Sequence, residues 1–318
     1  MIASSQSLPK RARKVANFIP GLVHAPVTPF TRDYRVDHDL FRKIVDFHLR
    51  NGAEALAVQM HAGESVSLSD VEQRELIELA VTHVKGRVHV IAHVSDAGTA
   101  IAVARAQYAE KTGAAAIVAT VPYYWTPPPS MLIEHFAQIG SAVSVPFFVY
   151  YSPEELAGVK LGTDMVMALI KQLPNFAGVV DASLDWQFMI NIVSNAWRVR
   201  PQFQLLSGTE YMVSAGAVGA TSMFSSLAGV APKLVRRLYD ICRREKYFDA
   251  RAPQEALAEL RQIVKRAGPA GLKGAMRAMG RDCGDPRPPL DALPASATRK
   301  LAAELGALAP LRDEPRGW

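Results

Sequence analysis

The side chains able to do chemistry in this chain gather where its short apolar runs end. His61 follows the run Glu54–Met60, and His93 closes the run Val88–His93. Tyr124 follows Ala115–Val121, and Tyr150 lies in Phe147–Tyr151. Asp181 and Ser207 close Phe176–Asp181 and Phe203–Ser207. An imidazole titrates near neutrality and serves as acid, base or metal ligand. A tyrosine hydroxyl can pass a proton or stabilise developing negative charge, although a buried tyrosine is also an ordinary amphipathic core residue. His61 and His93 on neighbouring run ends would suit a divalent metal if Glu64 or Asp181 joined them. Without a third ligand they are pocket imidazoles that hydrogen-bond each other, the backbone or a substrate. The reading carried forward is the second, with no metal and no other cofactor.

These positions need a scaffold that collects run ends at one place. Apolar or β-branched runs recur about every thirty residues, the spacing of strands alternating with helices. They lie at Gly21–Val27, Glu54–Met60, Val88–His93, Ala115–Val121, Phe147–Tyr151, Phe176–Asp181, Phe203–Ser207 and Gly219–Phe224. The intervening stretches have amphipathic spacing. Asp37 is placed to cap the first helix, which Gly52 ends. Ser69-Asp70-Val71-Glu72 has the spacing of a capping box. Further helices are predicted at Thr99–Thr112, Met131–Ser141, Thr163–Gln172, Leu184–Asn195 and Glu210–Ala217. Such alternation implies parallel strands, and eight units favour a closed (β/α)8 barrel of the TIM type over an open sheet. No GxGxxG follows the first run, which argues against a dinucleotide-binding sheet. Beyond about residue 230 only helices are expected, at Pro232–Lys246, Pro253–Ala267, Gly271–Met279 and Ala295–Leu308. The organisation is then a basic arm (1–19), the barrel (20–232), a C-terminal helical region (233–311) and a tail (312–318) read as a frayed end.

Composition excludes several classes. The 318 residues are 49% hydrophobic and 21% charged, an ordinary globular balance. No apolar run reaches the roughly 18 residues of a bilayer span. The opening MIASSQSLPKRARKVANF lacks the apolar core of a secretory signal. Cys242 and Cys283, outside any CxxC, make no disulfide framework, so a cytoplasmic location is expected. The net charge of +6 suits attraction of an anionic metabolite. No basic helix interleaved with aromatics is present, so nucleic acid is not an expected partner. Lys10, Arg11, Arg13 and Lys14 form an arm that is solvated or touches another subunit.

Read in order, the run ends give Ala25-Pro26-Val27-Thr28-Pro29-Phe30, His61-Ala62-Gly63-Glu64, Pro122-Tyr123-Tyr124, Tyr150-Tyr151-Ser152-Pro153, Gly178-Val179-Val180-Asp181 and Ser207-Gly208. With the late Arg287-Pro288-Pro289-Leu290 turn, this series resembles the dihydrodipicolinate synthase and N-acetylneuraminate lyase family, from about Gly21 to Leu290. The resemblance implies a (β/α)8 barrel with a C-terminal helical region, usually in tetramers built from dimers. It implies a lysine that forms a Schiff base with pyruvate or a related 2-oxo acid, the iminium acting as an electron sink. Carbon–carbon bonds are then made or broken, or water is eliminated.

The departures from that pattern carry the functional expectation. The lysine position is Val180, which has no amine. Lys160 and Lys171 are nearest in sequence, in the loop after the fifth run and late on an outer helix, and neither is well placed. His61 and Ala62 replace two threonines that hold the pyruvate carboxylate. His93 replaces a glycine and is expected to project into the pocket near His61. Glu155 falls near an arginine that binds a substrate carboxylate, and a carboxylate cannot clamp another without a shared proton or cation. Tyr150 matches the proton-moving tyrosine, and Tyr124 the tyrosine reached across a subunit contact. Glu64 is expected to be structural. The expected catalytic set is Tyr150, His61 and Tyr124. His93, Ala62, Val180, Glu155, Ser207 and Asp181 are expected around the substrate. The expected function is a lyase acting on a small oxo or hydroxy acid by acid–base chemistry without a Schiff base, in a homo-oligomer (dimer or tetramer). Dihydrodipicolinate synthase activity is not expected. The alternatives are a metal-assisted lyase or hydrolase using His61 and His93, and a family member that binds a small molecule without turning it over.

Overall fold

A computed structural model of the protein describes residues 18–153 and 160–318. The basic cluster Lys10–Lys14 and Glu155 therefore lie outside the described residues. Eight strands, β1 (Leu22–His24), β2 (Ala55–Val58), β3 (His89–His93), β4 (Ala116–Thr120), β5 (Phe147–Tyr151), β6 (Phe176–Asp181), β7 (Gln204–Ser207) and β8 (Ser222–Ser225), form a closed barrel in chain order. All neighbours are parallel, and β8 closes on β1 with Val23 opposite Phe224. The expected (β/α)8 architecture is borne out.

Side chains alternate across the barrel wall with a period of two. Val23, Ala57, Ile91, Val118, Phe148, Val180, Leu206 and Phe224 belong to the cluster that fills the interior. Their neighbours Leu22, Val58, Ala92, Val149, Val179 and Leu205 pack outward in the larger cluster under the helices. Phe18 closes the amino end of the barrel, its ring 5.1 Å from His89 and 6.0 Å from Phe148. The Gln204 side-chain amide donates to the Phe18 carbonyl at 2.6 Å. At Gly178 the β6 backbone runs close against β7. A Cβ there would meet the Gln204 carbonyl oxygen at 2.1 Å, so no larger residue fits.

The crossover helices start and stop where local chemistry asks them to. Asp37 caps α1 (His38–Arg50) by accepting from the Leu40 N–H at 2.9 Å. Ser69 and Glu72 make the full capping box of α2 (Asp70–Val84). The helices α3 (Thr99–Thr112) and α5 (Thr163–Gln172) have the predicted bounds, and α4 (Pro129–Ser141), α6 (Trp186–Val199) and α7 (Met212–Ala217) differ at their ends. Most strands are shorter than the apolar runs because the run ends turn into loops, where assignment shifts by a residue or two. No helix among the described residues is long and apolar enough to cross a membrane.

Four helices follow the barrel: α8 (Pro232–Arg243), α9 (Arg251–Arg266), α10 (Gly271–Ala278) and α11 (Ala295–Ala307). The expectation of a frayed tail at Arg312–Trp318 is corrected. The Glu314 carboxylate accepts from the Lys233 and Leu234 N–H groups at 3.0 and 2.7 Å and so caps α8. Arg281 is fully buried and donates to the carbonyls of Gly229, Val230, Pro315 and Gly317. Trp318 meets Phe47 edge-on at 6.0 Å. A polar terminal sequence looks frayed because its partners lie far away in the chain.

Candidate active site at the carboxyl ends of the strands

Tyr150 and Val180 are register partners on β5 and β6, and both belong to the interior cluster. Tyr150 is buried, with Met60 and Ala25 from the β2 and β1 loops in the same cluster. The residue at the expected lysine position is thus an aliphatic wall beside the phenol. Lys160 and Lys171 are both exposed. Among the described lysines only Lys273 is buried, and its ammonium is 2.6 Å from the Glu64 carboxylate.

His61 opens a single helical turn, His61–Gly63, and its side chain is exposed. Ala62, beside it, is half-buried. The loop is held from several directions. Thr28 donates to the Gly63 carbonyl at 2.6 Å, and Gln59 donates to the Gln73 carbonyl. Gln73 in turn donates to the carbonyls of Ser65 and Leu68. Glu64 takes Lys273 on one oxygen and the Arg287 N–H, at 3.0 Å, on the other. Arg287 grips Glu72 through two hydrogen bonds of 2.9 and 2.7 Å. That pairing is the main reason the Glu72 carboxyl is held down to about 2. Gln59 and Glu64 both sit at positive φ, 62° and 54°, a conformation unusual outside glycine. Such cross-links are what keep a loop in that shape.

His93, at the end of β3, is buried. Its Nε2 lies 2.8 Å from the Ser95 hydroxyl, which also accepts the Thr120 N–H at 2.7 Å. Burial pushes the His93 pKa down to about 3, with Arg105 and then His61 adding repulsion. His61 is therefore near enough to act on His93 electrostatically. Arg105, which donates to the Ser95 carbonyl at 2.6 Å, is balanced by Asp70 at 2.7 Å and Asp96 at 3.0 Å.

The structure separates the other predicted residues from this group. Asp181 and Ser207 are register partners, but they continue the outward-facing positions Val179 and Leu205. This corrects their expected place around the substrate: a strand that turns Val180 inward must turn Asp181 outward. Ser207 donates to the Thr209 carbonyl at 2.8 Å. Asp181 accepts from Ser183 at 2.7 Å, while its other oxygen is buried without a partner. Burial pushes the Asp181 carboxyl up to about 6. Tyr124 has φ 79° and is 85% exposed, its ring against Trp125 at 5.0 Å. Within one chain Tyr124 stands apart from the interior cluster that holds Tyr150.

Among the described residues no group of three or more His, Cys, Asp or Glu side chains is arranged to hold a metal ion. Glu64 is spent on Lys273, and Asp181 faces the helices. Ser95 and Thr120 were missed by the sequence reading. The available signal was a hydroxyl two residues after a strand-end histidine, which means little until the strand is known to curl inward there. What the site offers is a phenol, an exposed imidazole and a buried neutral imidazole around an aliphatic floor. That set moves protons and donates hydrogen bonds.

The model of the dihydrodipicolinate synthetase family matches residues 19–308. The 4-hydroxy-tetrahydrodipicolinate synthase of Methanopyrus kandleri is 33% identical over 299 residues, spanning 93% of this chain and 98% of that protein. The protein of the same name from Neisseria meningitidis serogroup B is 31% identical over 295 residues, spanning 91% and 98%. The crystal structure of dihydrodipicolinate synthase from Aquifex aeolicus matches with a TM-score of 0.85 at 27% identity, over 93% of this chain and 100% of that one. The resemblance carried by the strand-end motifs is borne out, and the chain belongs to the dihydrodipicolinate synthetase family.

Proposed function

We propose that this protein is a lyase-type, aldolase-like enzyme that acts on a small oxo or hydroxy acid without forming a Schiff base. The observation that carries the reading is Val180, an interior residue beside Tyr150 at the position where the resemblance implies the lysine. Its relatives are named 4-hydroxy-tetrahydrodipicolinate synthase. This chain keeps their barrel and the tyrosine but has no amine at that place, so the synthase reaction is not its expected activity.

In this reading Tyr150 and His61 exchange protons with the substrate. Val180 and Ala62 shape the apolar side of the pocket. His93 orients an oxygen of the substrate, and Glu155 disfavours a second carboxylate in the loop after β5. Tyr124, exposed and held at positive φ, completes the site from a second copy of the chain in a homodimer or homotetramer. The reaction needs no cofactor, and its partner is a small molecule in the cytoplasm, not a nucleic acid or a membrane.

The test has two arms. Borohydride treatment with pyruvate, read by intact mass, should leave the protein without an adduct; a stable adduct would remove the central claim. A thermal-shift screen of small oxo and hydroxy acids, followed by turnover assays on the hits, should find a substrate whose conversion needs Tyr150 and His61. Hits that bind and are never converted would make the protein a binder instead.

A further inference from the structure

We propose that Ser95 fixes His93 as the neutral tautomer protonated on Nδ1, so that β3 presents a hydrogen-bond donor to a substrate oxygen, and neither a base nor a metal ligand. The argument is one of satisfying polar groups. A serine hydroxyl has one proton to give and two lone pairs, and a neutral imidazole has one donor and one acceptor nitrogen. The Ser95 oxygen already accepts the Thr120 N–H at 2.7 Å. Its proton needs an acceptor, and among the described residues the only one bonded to this oxygen besides that N–H is His93 Nε2, at 2.8 Å. If His93 instead donated from Nε2, the Ser95 proton would be buried with nothing to receive it, which is the expensive way to leave a hydrogen bond. Ser95 is itself buried, so water does not supply the missing partner cheaply.

The proton of the ring therefore sits on Nδ1. That nitrogen hydrogen-bonds no described group and is not among the described buried atoms that lack a partner, so it stays reachable from the barrel mouth. Protonating Nε2 as well would break the Ser95 bond and put a second cation near Arg105 and His61. Burial, with Arg105 and then His61 adding to it, already pushes the His93 pKa down to about 3. The group is thus a donor that remains neutral across the physiological range. It suits an oxygen that gains negative charge during reaction, such as the carbonyl oxygen of an oxo acid when the adjacent carbon loses a proton or a bond. The donor geometry of His93 follows from Ser95 alone. Only its use on a reacting oxygen rests on the reading given under Proposed function.

The decisive measurement is long-range proton–nitrogen NMR on protein carrying 15N-labelled histidine, with His93 identified by its loss in His93→Gln. The expected spectrum shows a proton on Nδ1 and a bare Nε2, unchanged from pH 5 to 8 and unaffected by stoichiometric zinc. A proton on Nε2, a titration within that range, or a zinc-dependent shift of His93 would each overturn the proposal, whatever the reaction proves to be. Ser95→Ala should blur the pattern toward a mixture of tautomers and raise the pH at which His93 titrates. Ser95→Thr, which keeps the hydroxyl, should restore both. Once a turnover is in hand, His93→Phe should lower kcat by roughly a hundredfold and Ser95→Ala by less, as for loss of a donor to a developing oxyanion. Correct tautomers with unchanged kcat in both variants would retain the tautomer and discard the role in catalysis.

Discussion

Among the described residues two pairs of histidines act on each other, one by direct contact and one electrostatically, and they differ in what they leave open. His24 on β1 and His48 on α1 face each other through the barrel wall, Nδ1 to Nδ1 at 3.1 Å with the rings edge-on. Both Nε2 atoms are buried without a partner. Burial lowers the pKa of each, to about 3 for His48. His93 is lowered as far and for the same leading reason. Yet it ends a strand, bonds one nitrogen to Ser95 and shares the barrel mouth with exposed His61. A depressed histidine is thus no mark of a site by itself, because burial alone produces it. What distinguishes the mouth pair is a nitrogen still available at the strand ends.

The largest difference between the pairs should appear in catalysis. Tyr150→Phe or His61→Ala is expected to cut turnover of a discovered substrate by about a hundredfold to ten-thousandfold, the range for losing a general acid or base. Their melting temperatures should stay close to that of the parent. His48→Leu should do the reverse, leaving kcat alone. Steady-state kinetics beside thermal melts would break the comparison if the wall pair moved kcat and the mouth pair did not.

In stability, His48→Leu strips His24 of its partner and should cost roughly 1–3 kcal/mol, the cost of an unmade buried hydrogen bond. The pH dependence has a definite sign. Folding depresses these imidazoles, so below the unfolded value near 6.5 the unfolded chain takes up protons that the folded chain refuses. Stability from the neutral pair is therefore full above about pH 6.5 and declines as pH falls toward 3. Urea titrations at pH 7 and pH 5 should show a smaller loss on acidification in a His24→Leu/His48→Leu double variant. Equal losses would mean that the wall pair does not remain neutral.

Asp181 sharpens the comparison from the acidic side. Its folded pKa is raised, to about 6, so the fold prefers the neutral carboxyl. The resulting penalty is absent below the unfolded value near 3.8 and grows as pH rises through 6. Asp181→Asn should stabilise the protein at pH 7.5 by on the order of 2 kcal/mol and change little at pH 4. A variant no more stable at pH 7.5 would show that the unpartnered oxygen finds compensation.

How much of this was legible in the sequence follows the range of the interactions. Asp37 and Ser69 announced their helices because a cap acts within three residues. The strand ends announced the mouth because eight apolar runs repeat at a regular distance. Asp181 was placed with Val180 although the two are adjacent on one strand, and a period of two sends them to opposite faces. The Ser95–His93 bond was out of reach because it depends on how the chain bends after β3, and on an N–H from β4. Tyr124 carried its motif, but its exposure depends on how the loop after β4 turns, which no local motif records.

The tail is the furthest case of that limit. Glu314 joins the last residues to the first turn of α8 across 80 positions of chain. Burial raises its carboxyl, while the N–H groups of Lys233 and Leu234 oppose the shift by favouring the charged form. Glu314→Gln keeps the size and an acceptor oxygen but loses the charge at a helix N-terminus, and should cost about 1 kcal/mol. Deleting 314–318 should cost more, because it also strips Arg281 of two carbonyl partners and uncovers Phe47. Melting curves of the two variants, with turnover unchanged in the first, would place the tail with the structural His24–His48 wall. A truncated chain as stable as the parent would mean that the tail is frayed in solution after all.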